Sequence, residues 1–286
     1  MRKMLLALAA VSNLAFVGNA GAATKTVSIY GSGFSPYSVT ITEGDTVTWV
    51  NRDNADHQVL DSKGGFVSAI LRPKQTFSFT FKAPGTYSYK DELHPRHTGK
   101  IVVKGLPPTL TLTVSAPILT YGTQATLTGV ISSHAAGQQV TIYYRPYPQP
   151  NLIQRATLLT GPGGTFSFIV APQILTTYEA SWKGVFAAPT TVQVQPKLTL
   201  GRNNGWIIHV AGGRTFAGRA VQFQRLNLLT GQWVTLQKVI LNSRSSARIA
   251  YPLPKGTSRL RLTMSVNQAG AGFLGAIGPT VIWRTR

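Results

Sequence analysis

Between residues 39 and 104 the chain switches between apolar and polar side chains at every second position, in several short runs. Val39 and Ile41 flank Thr40; Val47 and Trp49 flank Thr48; Phe77, Phe79 and Phe81 are separated by Ser78 and Thr80; Tyr87 and Tyr89 flank Ser88. Successive side chains of a strand point to opposite faces, so this period suits strands with one buried face and cannot give a helix a continuous apolar stripe. Turn formers cut the runs, notably Glu43-Gly44-Asp45 and Pro84-Gly85, and Lys100–Lys104 closes the segment. Strands at this spacing over 23–105 predict a β-sandwich of about 80 residues.

Leu106-Pro107-Pro108 is a stiff junction, and alternation resumes beyond it. Thr109–Ser115, Ala125–Gly129, Gln139–Tyr144, Gly164–Val170 and Thr177–Trp182 read as strands of a second unit over 106–196. A third covers 197–286. Ala136–Ile142 aligns with Ala217–Phe223 at an offset of 81 residues, and Thr177–Trp182 aligns with Ser258–Thr263 at the same offset. Such self-similarity argues for a duplicated sandwich module. On these strands the two units resemble the immunoglobulin-like modules of secreted bacterial proteins. The expected fold is all-β: one sandwich followed by two immunoglobulin-like ones.

The chain has no cysteine, which excludes disulfides, thiolate metal sites and cysteine nucleophiles. Arg2 and Lys3, the apolar run Met4–Val17 and the small residues Ala20-Gly21-Ala22 read as a secretory signal peptide over 1–22. Export, to the extracellular space or the cell surface, is therefore expected. Seven of the eight acidic residues lie between Glu43 and Glu92, and beyond 105 there are 16 Lys+Arg against Glu179 alone. The basic modules suit an anionic partner, cell-envelope polymer or lipid headgroups, or simply confer solubility. No nucleic-acid partner is expected outside the cell, and the chain is expected to be a monomer. With one acidic residue in that region, paired-carboxylate glycosidase chemistry is excluded there.

Three of the five histidines fall in the first sandwich: His57, His94 and His97. Neutral imidazole is the commonest protein metal ligand. His94 and His97 follow a strand and flank Pro95, where a short loop can aim both rings at one point, and loops from one end of a sandwich can bring His57 to them. His134 reads as a loop residue and His209 as a strand residue. Tyr143, Tyr144 and Tyr147 with Arg145 read either as a sugar- or partner-binding face or as ordinary strand aromatics.

The segment Pro84–Gly99, with Tyr87-Ser88-Tyr89 and His94-Pro95, resembles the copper loop of cupredoxins of the plastocyanin and amicyanin type. Phe34-Ser35-Pro36, Val39–Asp45, Val47–Asn51 and His57 resemble that family's upstream half. The resemblance implies metal binding through His57 and His94. It places Asp91 where the family has cysteine and His97 where it has methionine. Without the thiolate neither a blue-copper centre nor its electron transfer is expected. His57, His94 and His97, with Asp91 either as a ligand or as a hydrogen-bond partner of a ligand histidine, make a harder donor set, suited to Cu(II), with Zn(II) as the other possible ion. Glu92 reads as a surface charge or an alternative oxygen donor. The expected function is non-enzymatic: holding Cu(II). Its alternative is a metal-free scaffold in an adhesion or wall-binding protein, and a copper oxidoreductase or electron carrier ranks last.

Overall fold

A computed structural model describes residues 22–285; the leader expected over 1–22 lies outside them but for Ala22. The chain divides into two compact units, at Pro107 and Pro108. Both are all-β, as the alternation predicts. No helix among the described residues is long and apolar enough to cross a membrane.

The first unit comprises β1 (Thr24–Tyr30), β2 (Gly33–Ser35), β3 (Ser38–Thr42), β4 (Thr46–Asn51), β5 (Val59–Asp61), β6 (Thr76–Thr80), β7 (Gly85–Asp91) and β8 (Thr98–Lys104). One sheet has the order β2-β1-β4-β6 and the other β3-β8-β7-β5. β1 runs parallel to β4, and β3 parallel to β8. The alternating residues meet between the sheets. Val39 and Ile41 are buried, as are Val47 and Trp49. The Trp49 ring lies 5.3 Å from Phe66, 5.6 Å from Phe77 and 5.3 Å from Tyr89, centroid to centroid. Burying one large aromatic of this kind stabilises the fold by about 1.5–3 kcal/mol. Tyr89 packs so closely on β8 that a Cβ at Gly99 would stand 2.5 Å from its ring.

The second unit holds two hydrophobic cores, one built from residues between Leu110 and Val192, the other from residues between Val194 and Ala276. Each contains the same bulged hairpin. Gln139–Pro146 pairs with Ile153–Leu159, Val140 facing Leu158, with a bulge after Ile142. Ala220–Leu226 pairs with Trp233–Ile240, Val221 facing Val239, with a bulge after Phe223. Partners and bulge recur at 81 residues, the offset of the first aligned block. The second block is corrected by one residue. Thr141 faces Ser181, whereas Gln222 faces Thr263, so the neighbouring strands correspond at 82. Tyr178, Ala180 and Trp182 then answer Leu260, Leu262 and Met264, all buried. A one-residue slip exchanges the two faces of a strand, so only the larger offset puts apolar residues inward in both copies.

Candidate metal centre

Strand register builds one end of the first sandwich. Along β7 the buried face carries Tyr89 and then Asp91, the last residue of the strand. β5 pairs with β7 so that Val59 faces Asp91. His57 lies two residues before Val59, on the same face, and so arrives just past the end of β7. Asn51, fully buried, shapes the approach: its amide donates to the carbonyls of Ala55 (2.7 Å) and Leu71 (2.8 Å), and its Oδ1 accepts from Asp53 N at 2.8 Å. On the other side the chain turns within Glu92–His97. His97 N donates to His94 O at 2.8 Å, and Asp91 N to His97 O at 3.0 Å, closing the loop over Asp91.

The three histidines converge on one oxygen. Asp91 Oδ2 lies 2.6 Å from His57 Nδ1, 3.0 Å from His94 Nδ1 and 3.9 Å from His97 Nδ1. Asp91 Oδ1 accepts from the backbone N–H groups of Gln58 (3.0 Å) and Leu93 (3.1 Å). Asp91 and His57 are buried, His97 is partly buried, and the His94 side chain is 40% exposed, so it forms the solvent side of the cluster. Burial alone would raise the Asp91 carboxyl. The bonds from Gln58 N, His57, His94 and Leu93 N outweigh it and hold the group below the ordinary carboxylate value.

A second carboxylate stands behind His57. Asp53 Oδ2 lies 3.3 Å from His57 Nε2. The Asn54 backbone N–H, and less strongly His57, keep its carboxyl below the usual range against partial desolvation. Gly31 makes room for it, since a Cβ there would sit 3.1 Å from Asp53 Oδ2. Sequence reasoning missed Asp53; its place four residues before His57 was the available signal, but in an irregular loop spacing does not fix a contact.

The donor set fits a metal ion. One donor atom each from His57, Asp91, His94 and His97 all lie within 4.8 Å of one another. Ligands about 2.0–2.1 Å from one ion are at most about 4 Å apart, so closure needs a contraction of less than about 1 Å. His97 Nδ1 is buried with no hydrogen-bond partner, an unusual state for a ring nitrogen unless it ligates. The residues that would hold the ion are His57, His94 and His97 through Nδ1 and Asp91 through Oδ2. Nε2–H of His57 would then face Asp53, the arrangement that fixes a ligand histidine's tautomer. The set does not fit a blue-copper centre, because it contains no thiolate.

The remaining candidates fall elsewhere. Glu92 pairs with Lys90 at 2.8 Å on the surface and is not a donor. His134 Nδ1 lies 3.3 Å from Gly163 O, and His209 Nδ1 lies 2.8 Å from Ser246 Oγ. Tyr144 packs on the core of its module and so leaves the face of Tyr143, which rests against Phe186 at 5.6 Å, while Arg145 and Tyr147 line one small cavity.

Comparison with known proteins identifies the family of the first unit. Residues 3–103 match the family described as cupredoxin-like domain. The chain is 37% identical over 100 residues to amicyanin-alpha of Methylorubrum extorquens, covering 33% of this chain and 84% of the relative. It is 41% identical over 66 residues to amicyanin of Paracoccus denitrificans, 21% of this chain and 50% of that protein. Among solved structures it is similar to a purple cupredoxin from Nitrosopumilus maritimus, at 26% identity over 28% of this chain and 99% of that one, with a TM-score of 0.27. Through its first unit the chain belongs to the cupredoxin-like family. Its site is a His/Asp cluster without cysteine.

Proposed function

We propose that the first unit holds Cu(II) in a thiolate-free site made by His57, Asp91, His94 and His97. The convergence of three Nδ1 atoms on Asp91 Oδ2 carries this reading. An imidazole- and carboxylate-rich set favours Cu(II) over Zn(II) at equal access, and gives no soft ligand to Cu(I). The role is to bind and hold the ion, not to turn over a substrate or shuttle electrons. The two sandwiches of the second unit act as immunoglobulin-like spacers on an exported, monomeric chain. With 16 Lys+Arg against one Glu beyond residue 105, they attach it to an anionic partner, the acidic polymer of a cell envelope in first place.

Calorimetric titration of the full chain with Cu(II) tests the site. His94→Ala removes the solvent-side donor and should abolish tight binding; unchanged affinity would overturn the assignment. Binding should also weaken on acidification, because protonated imidazole cannot ligate.

A second reading has its own observation. Asp91 is already satisfied by two backbone N–H groups and two imidazoles, so the network can hold the loop with no ion. The first unit would then be a scaffold in an adhesion or wall-binding protein. Metal analysis of chain purified without chelator or affinity tag separates the two, by stoichiometric copper or none.

A further inference from the structure

The duplicated hairpin of the second unit provides an internal comparison. Away from the core, strand pairing makes Thr141, Tyr143, Thr157, Glu179 and Ser181 of the first copy answer Gln222, Gln224, Lys238, Arg261 and Thr263 of the second. The backbone is the same and the charge differs. At these five positions the first copy carries one carboxylate, with Arg145 next along its face opposite Thr177, whereas the second carries two cations and no carboxylate. Neither set is demanded by the fold, since each copy folds with the other's chemistry missing.

In the second copy this face is the floor of a groove of about 770 Å³, walled by Ser265–Gln268 and Leu274–Ile277. Arg261 is held there from two sides. Its guanidinium lies over the Trp233 ring, 4.1 Å from the centroid, and its Nε donates to Gln224 Oε1 at 2.9 Å. Gln224 is 8% exposed and is itself braced by donating to Gln222 Oε1 and Thr235 Oγ1. The two terminal amino groups of Arg261 have no hydrogen-bond acceptor among the described residues, although they lie in a partly desolvated groove. Lys238 joins from the next strand, opposite Gln222. No Asp or Glu lines the groove. A guanidinium fixed on one edge, with its other donors unfilled, matches a planar carboxylate in bidentate fashion.

We propose that this groove binds a segment of acidic polysaccharide, Arg261 receiving a uronate carboxylate while Lys238 adds charge. The amide of Gln268, whose Oε1 already accepts from Ala220 N at 2.7 Å, and the Thr263 hydroxyl face the sugar hydroxyls. A groove floored by amides suits a hydroxyl-rich chain better than a flat lipid surface, which would be met by cations on a convex one. The proposal rests on the attachment reading above and assigns attachment to one site.

Titration of the full chain with oligogalacturonate tests it, beside heparin as a sulfated polymer and dextran as a neutral one. Wild type should bind oligogalacturonate, more weakly as salt rises, and should not bind dextran. Arg261→Glu installs the charge that the sister module carries at Glu179 and should weaken binding at least tenfold, roughly the value of one charge-assisted hydrogen bond. Lys238→Ala, at an exposed position, should weaken it by up to about fivefold. Arg155→Ala, on the other module, should leave it unchanged. If wild type binds and neither Arg261→Glu nor Lys238→Ala weakens binding, the groove assignment is overturned while attachment stands. Preference for heparin overturns the carboxylate chemistry. If wild type binds no anionic polymer, the attachment reading and the groove fall together. Should Arg261→Glu fail to fold, Lys238→Ala decides.

Discussion

Asp91 is the residue on which the site depends with or without a metal, and its replacement should be costly in the metal-free protein. Its carboxylate accepts from Gln58 N, Leu93 N, His57 and His94, all at 2.6–3.1 Å, in a position closed to water. Asp91→Ala leaves two backbone N–H groups unpaired, each worth about 1–3 kcal/mol. Two such groups give about 2–6 kcal/mol, which agrees with the roughly 3–5 kcal/mol lost when one partner is removed from a buried ionic pair. Asp91→Asn keeps Oδ1 for both N–H groups and turns an amide towards imidazole nitrogens that accept in their other tautomer. Its cost should be only about 1–2 kcal/mol. The folded-state pKa of Asp91 lies below its ordinary 3.8, so the ionic contribution is complete above that value and is lost as pH falls through the folded one. The gap between wild type and Asp91→Asn should therefore not close until pH falls below about 3.8. Urea unfolding of metal-free full chain, followed by the Trp49 indole NMR signal, reports the first unit. An Asp91→Ala variant within about 1 kcal/mol of wild type, or an Asn variant no more stable than the Ala one, would refute the reasoning.

Other consequences are testable in the same chain. Asp91→Cys should give the Cu(II)-loaded protein an intense visible absorption that wild type lacks; a colourless, copper-loaded variant would show that position 91 is not at the ion. Gly99→Ala places a methyl 2.5 Å from the Tyr89 ring and should destabilise the first unit by about 1–3 kcal/mol in thermal melts, and an unshifted transition would contradict that packing. Asp45 accepts from Thr42 N (2.8 Å) and Ala23 N (2.7 Å), which depress its carboxyl. Asp45→Asn should thus lower stability at neutral pH, with the difference vanishing as pH falls through the folded-state value; equal stabilities at pH near 7 would count against it.

Much of this was legible in the residues because period-2 patterns fix which face of a strand is buried. Phe77, Phe79 and Phe81 share a face as their spacing requires, and Asp91 falls on the buried face because it continues the Tyr87-Tyr89 parity. The three histidines were visible as residue types at ligand spacing, and Asp91 only through the resemblance to the cupredoxin loop. Their convergence was not, because it comes from the β5–β7 register, which no local pattern encodes. Asp53 escaped notice for the same reason: its contact with His57 depends on the loop that Asn51 organises. The offset of the repeat shows the limit most clearly. The hairpin repeats at 81 by composition and structure alike, but the neighbouring strand is displaced by one residue, and only its partner across the sheet reveals which face points inward.

The proposed metal is held by imidazoles and a carboxylate on a cupredoxin frame. Electron paramagnetic resonance of the full chain with one equivalent of Cu(II) tests it most directly. A single, nearly colourless species is predicted, with wide hyperfine splitting and nitrogen couplings that disappear in His94→Ala. The spectrum of hydrated copper, unchanged by that substitution, would contradict it.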